Sequence, residues 1–483
     1  MSNNKFIDMS PQIILITLVS YFAFLMLIAQ LTKGKSDNKT FFTGNKDSNW
    51  FLVAFGMIGA SLSGVTFISI PGSVSGASFS YMQMVLGYLV GYFIIATVLI
   101  PIYYKLNLIT IYTYLGKRFG SASHKTGSAF FILSRIVGAA LRLYLVASVL
   151  QAFVFDYYEI PFLLTVFITI VLIWIYTFQG GIRTIVYTDT LQTFFMLSAL
   201  GLSIYFISQS MDLKISGLID LVKESDYSKT FFFDDFANNK KHFFKQFFSG
   251  ALIALVMTGL DQDMMQKNLT CKNAGEAKKN IFTMSFLLVP INLLFLFLGA
   301  SLYLFAQHKG FTVPERADHL FAEVAFNHLP IYAGVIFLLG LIAAAYSSAD
   351  SALTSLTTTF SVDFLSLDKT QDTRKRFLVH IAFSIILMIV IFAFDQLNDD
   401  SIVWKIFKFA GYTYGPLLGL FAFGLLTKIK IKDKFVPIIA IVSPFITYII
   451  QYYSPEYLNY TFGFELLFVN ALITFVGLVL VKK

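Results

Sequence analysis

Charge is scarce in this 483-residue chain: 13% of its residues are Asp, Glu, Lys or Arg, against 57% hydrophobic. Mean hydropathy is +0.71. A soluble chain carries about twice that share of charge, so a water-soluble globular protein is excluded. Cys271 is the single cysteine, which excludes an intrachain disulfide and suits a thiol facing the cytosol. The histidines His124, His242, His308, His319, His328 and His380 are scattered over loops and span ends without metal-ligand spacing, so no transition-metal site is expected. The absence of a phosphate-binding glycine loop followed by Lys-Ser/Thr argues against direct ATP coupling. With no low-complexity tract or nucleic-acid motif either, the net charge of +8 reads as membrane topology.

What is abundant is apolar runs long enough to cross a hydrocarbon core of about 30 Å. They fall at 12–32, 49–76, 82–104, 128–154, 160–177, 184–209, 245–264, 280–306, 331–360, 378–395, 402–427, 435–452 and 464–481. The chain is thus expected to be an all-α polytopic membrane protein of about thirteen transmembrane helices. With the N-terminus outside, the inner loops collect Lys33, Lys35, Lys39 and Lys46, then Lys105, Lys117, Arg118 and Lys125, and then Arg183. They go on to collect the basic residues at 267–279, 369–376, 428–434 and 482–483. The short connections 77–81, 155–159 and 453–463 carry no Lys or Arg. This asymmetry predicts N-out, C-in in a plasma (inner) membrane. The first span follows only Lys5 and has no small-residue cleavage site, so it is expected to be retained. Segment 210–244, with its phenylalanines at 231–233, 236, 243 and 244, is expected to hold an amphipathic outer helix; the alternative is an ordered loop packed on the bundle. Segment 307–330 has a similar character.

Two spans are weakened internally. The second holds Gly56, Gly59, Gly64, Pro71, Gly72 and Gly76; the seventh holds Gly250 and then Gly259 just before Asp261. A break at the start of each of two five-helix units, 49–209 and 245–427, is the pattern of inverted repeats in which unwound carbonyls hold an ion near the midplane. The single transport domain would then add one helix in front (12–32) and two behind (435–483).

The ninth span reads LIAAAYSSADSALTSLTTTF. At about 100° per residue, Ser347, Ser348, Asp350, Ser351, Thr354, Ser355, Thr357, Thr358 and Thr359 share one broad face. Ala345, Ala349, Ala352, Leu353, Leu356 and Phe360 take the opposite one. Single membrane hydroxyls commonly bond back to their own helix, but a whole face of them with an acid suits a small hard cation. Asp189 in YTDTLQ is a second acid near membrane depth, either interfacial beside Arg183 or functional. Arg135 and Arg142 lie seven residues apart on one face of the fourth span, with no acid in that span. Arg135, nearer the inner end, either snorkels to the interface or finds a partner; Arg142 lies deeper, and its fork suits a carboxylate.

Four motifs resemble the sodium:solute symporter family along nearly the whole chain: GASLSGVTFISIPGSV with PIYYKLNLITIYTYLGKRFG, FQGGIRTIVYTDTLQTFF, GLDQDMMQKNL and LIAAAYSSADSALTSLTTTFSVDF. The resemblance implies a leucine-transporter-type fold, in agreement with the inverted five-helix units. It also implies one sodium held by the carbonyls of Gly59, Leu62 and Ala344 and the hydroxyls of Ser347 and Ser348. A second sodium or a proton site would involve Asp189, Asp350 and Ser351, with Asp350 departing from the hydroxyl the family often has there. The solute pocket would project onto Ser63, Thr66, Phe67, Tyr81, Gln83 and Met257, with Arg142 across it. The tract TFISIPGSV followed by GASF looks closer to the branch carrying monocarboxylates, vitamins, iodide or sialic acids than to the sugar branch.

The expectation is a sodium-coupled secondary symporter of a small organic anion, not an enzyme. It would need no cofactor besides sodium, no nucleic acid and no obligate protein partner beyond the lipid bilayer. An amino acid such as proline, or a sugar, stands as the alternative solute. A channel would need a continuous polar lining that only the ninth span supplies. A sensor would need a signalling module, which some relatives fuse to this fold. An intramembrane enzyme would have to form product without a sodium gradient.

Overall fold

A computed structural model describes residues 11–32, 37–177, 181–370, 372–395 and 402–483. Lys5, Lys33, Lys35 and the first residues of the FQGGIR motif (178–180) lie outside them. The long helices are α1 (Pro11–Thr32), α2 (Trp50–Ala77), α3 (Tyr81–Lys105), α4 (Ser121–Tyr158), α5 (Phe162–Thr177) and α6 (Gly181–Ser210). They continue with α7 (Phe243–Gly259 plus Gln262–Asn268), α8 (Ala274–Lys309), α9 (Ile331–Phe364), α10 (Thr373–Asp395), α11 (Ile402–Leu426), α12 (Val436–Tyr457) and α13 (Leu466–Leu480). Among the described residues no strand forms beyond two isolated bridges. Ten helices are long and apolar enough to cross a membrane, or eleven if the bent halves of α7 make one span. The difference from about thirteen lies in α5 and α13. Helix α13 has 15 residues and reaches about 23 Å at 1.5 Å per residue, short of the hydrocarbon thickness.

Both expected breaks are present, each at a definable residue. In α2 the chain leaves helical geometry at Ser63 (φ 53°, ψ 174°) rather than at Pro71. The carbonyls of 59–62 therefore belong to a last turn, which lacks regular amide partners. In α7 the two halves meet at 67° across Leu260 and Asp261. Asp261 caps the second half, its Oδ1 accepting from Asp263 N (2.9 Å) and Met264 N (3.3 Å).

The loops meet one another in two groups. In one, Phe79 N donates to Lys229 O and Thr461 N to Ala237 O, each at 3.0 Å. In the other, Ser48 N donates to Thr270 O at 3.1 Å, Lys483 N to Lys430 O at 2.9 Å, and Asp433 receives Ala122 N and Ser123 N. One expectation is met in part and one needs correction. The helix within 210–244 covers only Ile215–Glu224, burying Leu218 and Val222. The phenylalanines instead pack around His242 and the start of α7, in the loop arrangement. Cys271 does not face solvent: it is buried, the Tyr104 hydroxyl donates to its carbonyl at 2.9 Å, and burial pushes its thiol up to about 12.

Candidate functional site

The polar face of α9 meets two other broken or polar helices. Ser347 Oγ donates to Asp189 Oδ1 of α6 at 2.8 Å, and the other carboxylate oxygen lies 2.6 Å from Lys267 Nζ, on the second half of α7. Asp189 and Lys267 are buried, 0% and 1% exposed, so neither charge faces bulk solvent. Ser351 also lies within hydrogen-bonding reach of Asp189. Asp350 is fully buried, and its Oδ1 accepts from Ser351 N at 2.5 Å. Asp189 thus neighbours Ser351, which Asp350 adjoins, and Asp189 also meets Ser347 and a lysine that sequence reading left out.

Toward the α2 break, Ser348 Oγ sits 3.3 Å from Ala344 O, so two oxygens expected to share an ion are adjacent and buried. Gly59 packs on α6 so closely that a Cβ there would fall 2.1 Å from Thr193 Oγ1. Its amide uses that approach, donating to Thr193 Oγ1 at 3.1 Å. Leu62, next to the break, lines the cavity described below. Further along α9 the ladder divides. Thr357 bonds back to Leu353 O and contacts His380 Nδ1 at 2.9 Å, while Thr358 accepts from Gln266 Nε2 at 3.0 Å. These hydroxyls knit α9 to α7 and α10.

A narrow cavity of about 80 Å³ opens beside Ser63, smaller than the roughly 300–1,000 Å³ usual for a small-molecule site. Ser63, Thr66, Tyr81, Met257 and Arg142 line it, together with Tyr88, Tyr92 and Asn292. The Tyr81 and Tyr88 hydroxyls are 2.9 Å apart. Phe67 and Gln83 lie elsewhere. Phe67 is buried among Phe295, Phe321 and Phe337, with centroids at 5.2–6.0 Å. Gln83 binds Lys241 O (2.9 Å) and Phe232 N (3.1 Å), fastening the 229–242 segment to α3. Phe407 also lines a wider cavity of about 610 Å³ toward that segment, whose walls include Lys240, Lys241, Lys408, Trp404 and Phe464.

Arg135 does not snorkel. It is 6% exposed and ion-paired with Asp263, with Asp261 at 3.7 Å. The Tyr414 hydroxyl of α11 donates to Asp261 Oδ2. Arg142, by contrast, forms no ion pair or hydrogen bond among the described residues. Sequence reading missed Asp261, Asp263, Lys267 and Asn292. Three charges in seven residues at a membrane-depth break, in a chain so poor in charge, were the available signal for the first three. Asn292 Oδ1 is buried without a hydrogen-bond partner on the wall of the cavity, which only geometry reveals.

The sequence pattern of the sodium:solute symporter family matches residues 41–431. The chain belongs to this family. It is 25% identical over 435 residues to a sodium/sialic acid symporter of Aliivibrio fischeri, covering 86% of this chain and 83% of that one. It is 24% identical to the human sodium-coupled monocarboxylate transporter 1, covering 81% and 65%. The fold is shared with the substrate-bound, outward-open state of a sodium-coupled sialic acid symporter, at a TM-score of 0.82 over 97% of this chain and 98% of that one, with 20% identity. This member of the family is a multi-span membrane transporter and not an enzyme.

Proposed function

We propose that this symporter carries sodium together with a small organic carboxylate by alternating access. The observation that carries the anion is Arg142: a guanidinium on the wall of a cavity at the α2 break, with no carboxylate of the protein within 4.0 Å among the described residues. Arg135, seven residues away, has Asp263, so the two arginines are not equivalent. This guanidinium is half-buried, so part of its hydration is lost without a protein partner, and a solute carboxylate supplies one. The named solutes of the two relatives, sialic acid and monocarboxylates, are both acids.

Sodium would bind where the last turn before Ser63, with Gly59 and Leu62, meets Ala344, Ser347 and Ser348. A second sodium, or a proton, would take Asp189, Asp350 and Ser351. The cavity residues Ser63, Thr66, Tyr81, Met257 and Arg142 would receive the solute. Equivalent breaks in α2 and α7, each the first helix of a five-helix set, support an inverted repeat of 49–209 and 245–427. The flanking helices 12–32 and 435–483 bring the spans to thirteen. The lysine-rich loop face supports an N-out, C-in arrangement in the plasma membrane, with no cofactor or protein partner required. Each ligand biases the same equilibrium between outward- and inward-facing states, and that is the coupling.

The deciding experiment is a thermal-shift screen of purified protein against carboxylates, amino acids and sugars, in sodium and in potassium. Stabilisation by a carboxylate that requires sodium is expected. Stabilisation by a neutral sugar alone would overturn the anion assignment.

A further inference from the structure

Lys267 raises a question that the sodium-symport reading leaves open. Its ammonium has three protons to donate, yet among the described residues it meets only the Asp189 carboxylate, at 2.6 Å. That carboxylate also holds Ser347, a proposed sodium ligand, at 2.8 Å. The Asp189 carboxylate is therefore shared between a cation of the protein and the place assigned to a cation from solution. All three side chains are buried, at 0%, 0% and 1% exposure. Ion and ammonium at Asp189 would repel each other across a few ångströms of poorly screened interior.

We infer that Lys267 is a tethered counter-cation that alternates with sodium on Asp189: sodium binding moves the ammonium off the carboxylate, and sodium release lets it return. The inference rests on the sodium-coupled reading above and adds a residue that reading does not use. Its mechanical consequence follows from chain position. Lys267 sits one turn after Met264 on the rigid half-helix Gln262–Asn268, and Met264 lines the solute cavity. Moving Lys267 therefore moves the cavity wall. The same half-helix is held at its other residues: Gln262 spans Ile109 O and Ile111 N, and Gln266 bonds Phe42 O and Thr358. Its motion is a rotation within a fixed socket, not a free excursion. Sodium and solute would then communicate through one seven-residue element, without touching each other.

The test is sodium affinity, read by thermal shift in purified protein without solute, with potassium holding ionic strength constant. Lys267→Met removes the competitor and should tighten sodium binding by about tenfold. Lys267→Arg keeps the charge, grips the carboxylate with a two-pronged fork and should weaken sodium binding severalfold. The arginine variant keeps the ion pair, so it decides the matter if the methionine variant fails to fold. Sodium affinity unchanged in Lys267→Arg, or weakened in Lys267→Met, would overturn the role of the lysine while leaving sodium symport intact. Wild-type protein that responds identically to sodium and potassium would overturn the sodium-coupled reading itself.

Discussion

Arg135 of α4 and Asp263 of α7 form a buried ion pair across the bundle, joining the helix that carries Arg142 to the half-helix that carries Lys267. Breaking a buried pair costs about 3–5 kcal/mol when the other charge is stranded; here Arg135 would keep Asp261, at 3.7 Å, as its remaining carboxylate. Asp263→Ala should therefore lower the unfolding temperature in detergent by less than Arg135→Gln, which deprives both Asp261 and Asp263 of their cation. A single variant as stable as the parent would show that the pair is dispensable.

Arg142→Gln leaves that pair untouched and removes the unpaired guanidinium. Uptake of the carboxylate by reconstituted vesicles should fall to background, while stabilisation by sodium alone persists. Normal uptake of a neutral solute by this variant would redirect the assignment toward sugars.

Ser348→Ala deletes a hydroxyl worth about 1–2 kcal/mol as a ligand. The sodium concentration for half-maximal uptake should rise by about an order of magnitude. If the sodium dependence is unchanged, the bond from Ser348 to Ala344 O is merely local helix chemistry.

Cys271 should resist maleimide. With its thiol pushed up to about 12, about one molecule in ten thousand is thiolate at pH 8. Mass spectrometry should find the folded protein unlabelled after a treatment that labels it fully in denaturant. Raising the pH toward 9.5 should increase labelling only in proportion to the thiolate fraction.

The large-scale arrangement was legible because each part of it is local. Apolar length marks the helices, glycines and Asp261 mark the breaks, and lysine placement sorts the loops. Ser347, Ser348, Asp189 and Ser351 also stand out in the sequence, since their chemistry is unusual for a membrane span, and the structure buries all four. The partners were not legible. Asp263 lies 128 positions after Arg135, and nothing in either local pattern names the other. Lys267 looked like one more inner-loop lysine because its half-helix is short and close to a basic cluster, and only burial distinguishes it. Phe67 and Gln83 show the converse. They are adjacent in sequence to cavity residues, but one packs among three phenylalanines and the other anchors a loop.

The wider cavity beside Phe407 presents Lys240, Lys241 and Lys408, and no Asp or Glu among its described lining residues. A one-signed funnel of this kind raises the encounter rate of an anion, and salt weakens it once the Debye length shrinks to about 10 Å near 0.1 M. Sodium chloride would then act on uptake in opposite directions: it supplies the coupling ion and screens the approach of the anion. A sodium titration at constant ionic strength should be steeper than one in which total salt rises, and the gap between the two curves measures capture kinetics separately from coupling.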